Sequence, residues 1–149
     1  FHIAEFSFHR SRRSDLHTLR EVELKETFPN LRKSIDLLGF IAEISKLIAR
    51  ATEEQTPLPN EYLMFTELVR LLDKNRAIDH WLVIFKIKFL SIQGVEPDWD
   101  QAPLDLGTQS VAKRMVVSDW KSLAKLKPSD VQLARLTQFL EEFIRRQNW

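Results

Sequence analysis

The chain has 149 residues, 44% of them apolar, and its 22 basic and 21 acidic side chains leave a net charge of +1. That length favours one ordinary domain with a sizeable core, and near-neutrality excludes polyanion binding by bulk charge alone, so any electrostatic function must come from local clusters. The lack of cysteine excludes disulfides and thiolate metal sites, and three glycines with six prolines argue against disorder and against a turn-rich all-β fold.

No run of 18 apolar residues is present, so no membrane-spanning helix is expected. No basic-apolar-small signal opens the chain, and a cytosolic location fits. The sequence starts mid-pattern at Phe1 with no initiator Met, which is the expectation for a fragment or for a chain whose start is missing.

The opening "FHIAEFSF" carries Phe1, Ile3, Phe6 and Phe8 and predicts a strand, with a slip near Glu5. A polar stretch from His9 to Asp15 follows. Leu16, Leu19, Val22 and Leu24 then predict a short strand that turns helical after Glu21. A strand pair this small cannot stand alone and must pack on the helices or on an absent part of the protein.

From Thr27 the apolar period changes. Phe28, Leu31, Ile35, Leu38, Ala42, Ile44, Leu47, Ile48 and Ala51 predict a helix to about Arg50, with Pro29 in its first turn. "EEQTPLPN" is a loop. A second helix is predicted from Asn60, as N-cap, to Lys74, with Leu63, Leu68, Leu71 and Leu72 inward. A third, Ala77 to Gln93, is apolar around most of its circumference, with one polar stripe of Asp79, Lys86 and Gln93. Such a helix belongs at the centre of a domain, and Gly94 suits its C′ position. An irregular acidic loop, "GVEPDWDQAPLDLG", leads to a basic stretch and a short helix near Asp119–Lys125. The last helix is predicted from Pro128–Ser129 to Gln147, with Val131, Leu133, Leu136, Leu140, Phe143 and Ile144 as its stripe.

Catalytic chemistry is not on offer. His2, His9, His17 and His80 lack metal-ligand spacing. Gly39, Gly94 and Gly107 are isolated and form no phosphate-cradling loop. Glu53–Glu54 and Glu141–Glu142 read as solvated pairs.

Two strings carry a resemblance. "TLREVELKETFPNLR", followed by a long helix, resembles the RecO family of recombination mediators where an oligonucleotide-binding (OB) domain passes into a helical domain. The matching positions are Leu19, Glu23, Leu24, Thr27, Phe28, Pro29, Leu31 and Arg32. "FKIKFLSIQGVEPDWD" is similar to a second family motif through Phe85, Ile87, Lys88, Leu90, Gly94 and Pro97. The likeness covers roughly residues 1–100 and 128–149. It departs from the family pattern at Lys86, where an acid is usual, and at Ala102, where many members carry the first cysteine of a zinc site. With no cysteine following, no zinc or other cofactor is expected.

The resemblance implies that residues 1–24 are the terminal strands of a mostly missing OB barrel and that residues 25–149 form a helical domain. It implies a non-enzymatic, bacterial, cytoplasmic and nucleoid-associated protein of DNA repair and recombination. Such proteins bind single- and double-stranded DNA, anneal it and help load recombinase. They also bind RecR and the acidic tail of single-strand-binding protein.

Candidate sites follow, each beside its plainer reading. Arg10, Arg12 and Arg13 are either phosphate contacts or a solvated turn. Lys88, with Lys86, Trp81 and Phe85, is either the cationic rim of a groove for an acidic, aromatic-ended tail or one half of an internal pair with a Glu. Lys113 and Arg114 open a basic segment running to Lys127, a second DNA-binding candidate or a solvated face, with only Trp120 for base stacking. Arg145 and Arg146 suit a helix C-terminus whatever the function, and Trp149 suits packing. The expected fold is mainly α: about four main helices, one short helix and a small N-terminal strand pair. The competing function is a helical protein-interaction module without nucleic-acid contact, favoured by the near-zero net charge and the apolar Trp81–Ile92 helix.

Overall fold

The computed structural model describes residues 2–14, 16–54, 56–74 and 80–149. The expectations for Phe1, for a helix start at Ala77 and for Asp79 lie outside them. The chain opens with an antiparallel ribbon of β1 (His2–His9) and β2 (Thr18–Thr27). Ala4 faces Leu24 and Phe6 faces Val22, while Glu5 faces Glu23 on the other side. Two glutamates opposite one another repel, and Lys25 relieves this by pairing with Glu5 at 3.2 Å and Glu23 at 2.6 Å. Register shifts fall between Ile3 and Ala4 and between Ser7 and Phe8, the first beside the slip expected near Glu5. β2 remains extended to Thr27 and does not turn helical after Glu21. Its alternation of Val22 and Leu24 with Glu21, Glu23 and Lys25 has the period of a strand, and β1 pairs with it throughout.

Phe28 and Leu31 leave the ribbon and plug the core. A 3-10 turn spans Leu31–Lys33, and Ser34 caps the helix behind it by accepting from the Leu37 amide. Helix α1 therefore begins at Ile35 and runs to Ala51. It starts later than expected, and Pro29 lies ahead of the 3-10 turn. Helix α2 (Pro59–Lys74) begins on its proline, so Asn60 sits in the first turn and is not the N-cap. Met64, Leu68, Val69 and Leu72 are buried, whereas Leu63 faces solvent.

Helix α3 (Trp81–Ile92) buries Trp81, Val83, Ile84, Phe85, Ile87, Phe89 and Leu90 and packs against α1, α2 and two later helices. Each such side chain contributes roughly 2 kcal/mol of burial. Gly94 closes the helix at φ +71°, a conformation that suits glycine. The later neighbours are α4 (Leu106–Val117) and α6 (Asp130–Arg146), separated by the single turn α5 (Trp120–Leu123). Helix α4 is additional to the elements the sequence predicted. Helix α6 opens with a capping box between Ser129 and Gln132 and buries Leu136, Leu140 and Ile144, while Val131 is exposed. The fold is mainly α with a small N-terminal strand pair. No helix among the described residues is long and apolar enough to cross a membrane.

The polar groups of α3 are not a solvated stripe. Lys86 is buried and its ammonium lies 3.0 Å from Glu43 of α1. The Gln93 amide donates to Glu61 of α2 at 2.7 Å, and Lys88 donates to the Val116 carbonyl of α4 at 3.0 Å. An ion pair of one buried and one exposed member contributes little over an apolar substitute at the buried position, but removing the exposed counter-ion strands the buried charge. Lys86→Met should thus keep stability within about 1 kcal/mol of the unmodified chain, while Glu43→Ala should cost on the order of 1 kcal/mol or more. Urea unfolding followed by circular dichroism measures both; a more costly Lys86→Met would overturn this ranking.

Candidate binding surfaces

At the tip of the ribbon the connection between β1 and β2 is shaped by two local hydrogen bonds. Ser11 Oγ accepts from the Arg13 amide at 3.2 Å and Ser14 Oγ from the Leu16 amide at 3.0 Å. Arg10, Arg12 and Arg13 are all exposed there and flank an open concavity of about 1030 Å³ with His9 and Thr18. The structure therefore brings the three predicted arginines together. Along one face of the ribbon run Ala4, Phe6, Phe8, Leu19, Val22 and Leu24. Phe6 is 60% exposed and Leu24 58%, values far from those of a finished core. Phe8 stacks flat on His17, with ring centres 5.5 Å apart.

The root of the ribbon is held by α2. Arg70 donates to both oxygens of Glu26, at 2.8 and 3.2 Å. Asp73 Oδ1 accepts from the amides of Asn30 and Leu31 at 2.9 and 3.1 Å, and the Asn30 side chain donates to the Asp73 carbonyl at 3.0 Å.

The residues singled out on α3 separate. Trp81 and Phe85 are core residues, 2% and 0% exposed. Lys86 points toward α1 and α6, lining a cleft with Lys46, Arg50, Arg145 and Trp149. Lys88 lies on the other side of α3, in a groove of about 440 Å³ walled by Met64, Glu67, Ile92, Val116 and Trp120. Its ammonium sits 5.8 Å over the Trp120 ring. Burial pushes the Lys88 pKa down, against the opposing pull of Asp119 and Glu67. An internal partner for Lys88 was expected to be a Glu; the residue it meets is a backbone carbonyl, 28 positions along the chain. Sequence spacing gave no signal for Val116 as its neighbour, because the helix that carries it was not predicted.

In the basic segment Lys113 is ion-paired with Asp100 and Arg114 is exposed on α4. Trp120 packs on Trp81, with ring centres 6.0 Å apart. Ahead of α4 the acidic loop is closed by side chains. Trp99 is buried against Phe139 and donates to Glu96 at 2.9 Å. Gln109 donates to the carbonyls of Ala102 and Leu104 at 3.0 and 3.1 Å. Ala102 itself is a buried methyl with no donor atom to offer a metal, so these residues do not fit the zinc site many members of the resembled family carry.

Asp105 caps α4 through the backbone and hydroxyl of Thr108 and pairs with Arg135 of α6. Its carboxyl is lowered to about 2, chiefly by the Thr108 hydrogen bonds and then by Arg135.

The geometry defines a mainly helical domain entered by an arginine-tipped ribbon, with open grooves on its surface. Similarity to known proteins narrows this. Residues 32–102 match the family described as recombination protein O C terminal. The chain is 30% identical over 86 residues to the DNA repair protein RecO of Bacillus pumilus, covering 58% of this chain and 34% of that protein. It is 27% identical over 89 residues to RecO of Listeria monocytogenes, covering 60% and 35%. Against RecO of Bacillus subtilis it is 27% identical over 92 residues, covering 62% and 36%. Over the region these matches cover, the chain is similar to the RecO family. The matches span about a third of the length of those curated relatives.

A carboxylate held below its unfolded pKa stabilises the fold above the unfolded value and loses that contribution as pH falls through the folded one. The thermal midpoint of Asp105→Asn should therefore lie below that of the unmodified chain near neutrality. The gap should narrow as pH drops from about 4 toward 2. Calorimetric scans of both proteins across that range check this; a gap independent of pH would remove Asp105 as its source.

Proposed function

We propose that this chain is the helical region of a RecO-type protein of DNA repair and recombination, with the ribbon as the terminal strands of an OB barrel. It acts by binding and annealing DNA and not by catalysis, and it contacts RecR and single-strand-binding protein. The observation that carries the proposal is the match of residues 32–102 to the recombination protein O C-terminal family, joined to a ribbon whose apolar face has no cover among the described residues. A two-stranded ribbon needs a third element to be stable in water, and further barrel strands over Phe6, Val22 and Leu24 would supply it. The three arginines at the ribbon tip then line the DNA path, with Arg114 a second contact. Lys113 adds to that contact only by leaving Asp100. That engagement, with the net charge of +1, favours the alternative of a protein-interaction module without DNA contact.

Mobility shift of single-stranded DNA at low and moderate salt separates the two readings. Binding that weakens steeply with salt supports the first; no binding at low salt supports the second, or a DNA path that needs the further barrel strands. An Arg10→Ala, Arg12→Ala, Arg13→Ala triple variant should flatten the log–log salt slope by about 2 to 3, since each phosphate contact contributes about 0.9. An unchanged slope would remove these arginines from the DNA path.

The acidic tail of single-strand-binding protein is assigned to the groove at Lys88, where an ammonium and the Trp120 ring stand beside Met64 and Ile92. Lys88→Ala should weaken a tail peptide about tenfold or more, as expected when a charge-assisted contact is lost. Fluorescence anisotropy measures the affinity and circular dichroism checks the fold; equal affinity in a folded variant counts against the assignment. Lys86 lies on the other side of α3 and takes no part in this groove.

A further inference from the structure

Two charged side chains among the described residues are buried, Lys86 and Glu61. Lys86 has its counter-ion in Glu43. Glu61, 9% exposed, has none: its hydrogen-bond partner is the neutral Gln93 amide, and no cation among the described residues lies within ion-pair distance. A buried carboxylate without a cation is costly. Its position in the first turn of α2 offsets part of that cost through the helix dipole. The rest of the charge borders a groove of about 330 Å³ between α1 and α2, with Ile48, Ala49, Leu58, Tyr62 and Phe65 as its other walls. Phe65 is braced from behind by an edge contact to Phe85, so that wall is anchored in the core.

We propose that this groove takes the guanidinium or ammonium of an Arg or Lys side chain set in an otherwise apolar segment of a partner protein. The charge completes the pair that Glu61 lacks. The aliphatic stem lies along Ile48, Leu58 and Phe65, and the exposed Tyr62 ring offers its face to the cation. A phosphate backbone is repelled by the same carboxylate, so nucleic acid is not the occupant. The site is separate from the ribbon tip and from the Lys88 groove, and its test does not depend on DNA binding.

The probe is the blocked peptide acetyl-Ala-Leu-Arg-Leu-Ala-amide, titrated into the full 15N-labelled chain, with a neutral citrulline-for-arginine peptide as comparison. Saturable amide shifts are expected over residues 45–49 and 58–65. Affinity should fall about tenfold for the citrulline peptide and for Glu61→Gln, which keeps the acceptor for Gln93 but removes the charge. Ala49→Phe, at an exposed position of α1, should block the groove without touching Glu61 and abolish the shifts. Equal affinity for the two peptides, undiminished binding to folded Glu61→Gln, or no saturable shift in the unmodified chain would overturn the proposal.

Discussion

Helix α3 is so apolar that it can be satisfied only by being surrounded, and this requirement organises the molecule. Burial around its circumference constrains the long polar side chains it carries, Lys86 and Lys88, and Gln93 at its C-cap. Each is answered by a different neighbour: Lys86 by α1, Gln93 by α2 and Lys88 by α4. Apolar packing is nondirectional and would tolerate small slides between helices. Three directional contacts to three helices remove that freedom. They fix where each neighbour stands around α3 and how far along it each is placed.

The same arrangement decides where surface can be used. Residues two apart on a helix lie on nearly opposite sides, so Lys86 and Lys88 open onto separate clefts and no single ligand can use both. The cleft at Lys86 is bordered by charged side chains of both signs from α1 and α6, the groove at Lys88 by aromatic and apolar side chains with Glu67. Gln93 in turn holds Glu61 at the floor of a third groove, so the contact that registers α2 also fixes a negative charge between α1 and α2. Structural struts and the chemical character of the grooves are one set of residues.

Much of this was legible in the sequence, and the failures have physical causes. The central position of α3 followed from its largely apolar circumference, and the start of α6 from Pro128–Ser129. Helix α4 was hidden because the positions it buries are Thr108, Gln109, Ala112 and Met115, a face with little hydrophobic contrast. The late start of α1 was hidden because Phe28 and Leu31 are core residues at helical spacing that belong to a loop and a 3-10 turn. At Leu63 and Val131 the pattern promised burial that the structure does not give. The partners of Lys86 and Lys88 could not be read, since they lie on helices distant in sequence, one of them unpredicted.

The ribbon obeys a different logic. Its root is secured by Phe28, Leu31 and the polar clamp of Arg70 and Asp73, all at the end that meets α2. Beyond that clamp the stripe from Leu24 to Phe8 has no cover among the described residues, while the opposite face is finished with Glu5, Glu23 and Lys25. One face is thus prepared for water and the other for protein. A clamp of hydrogen bonds holds direction well but contributes little net stability beside buried area. Helix α2 therefore aims the ribbon but adds little to its stability. The arginines at the tip are carried by that aim, so the bare stripe and the basic turn belong to a single element oriented by one clamp.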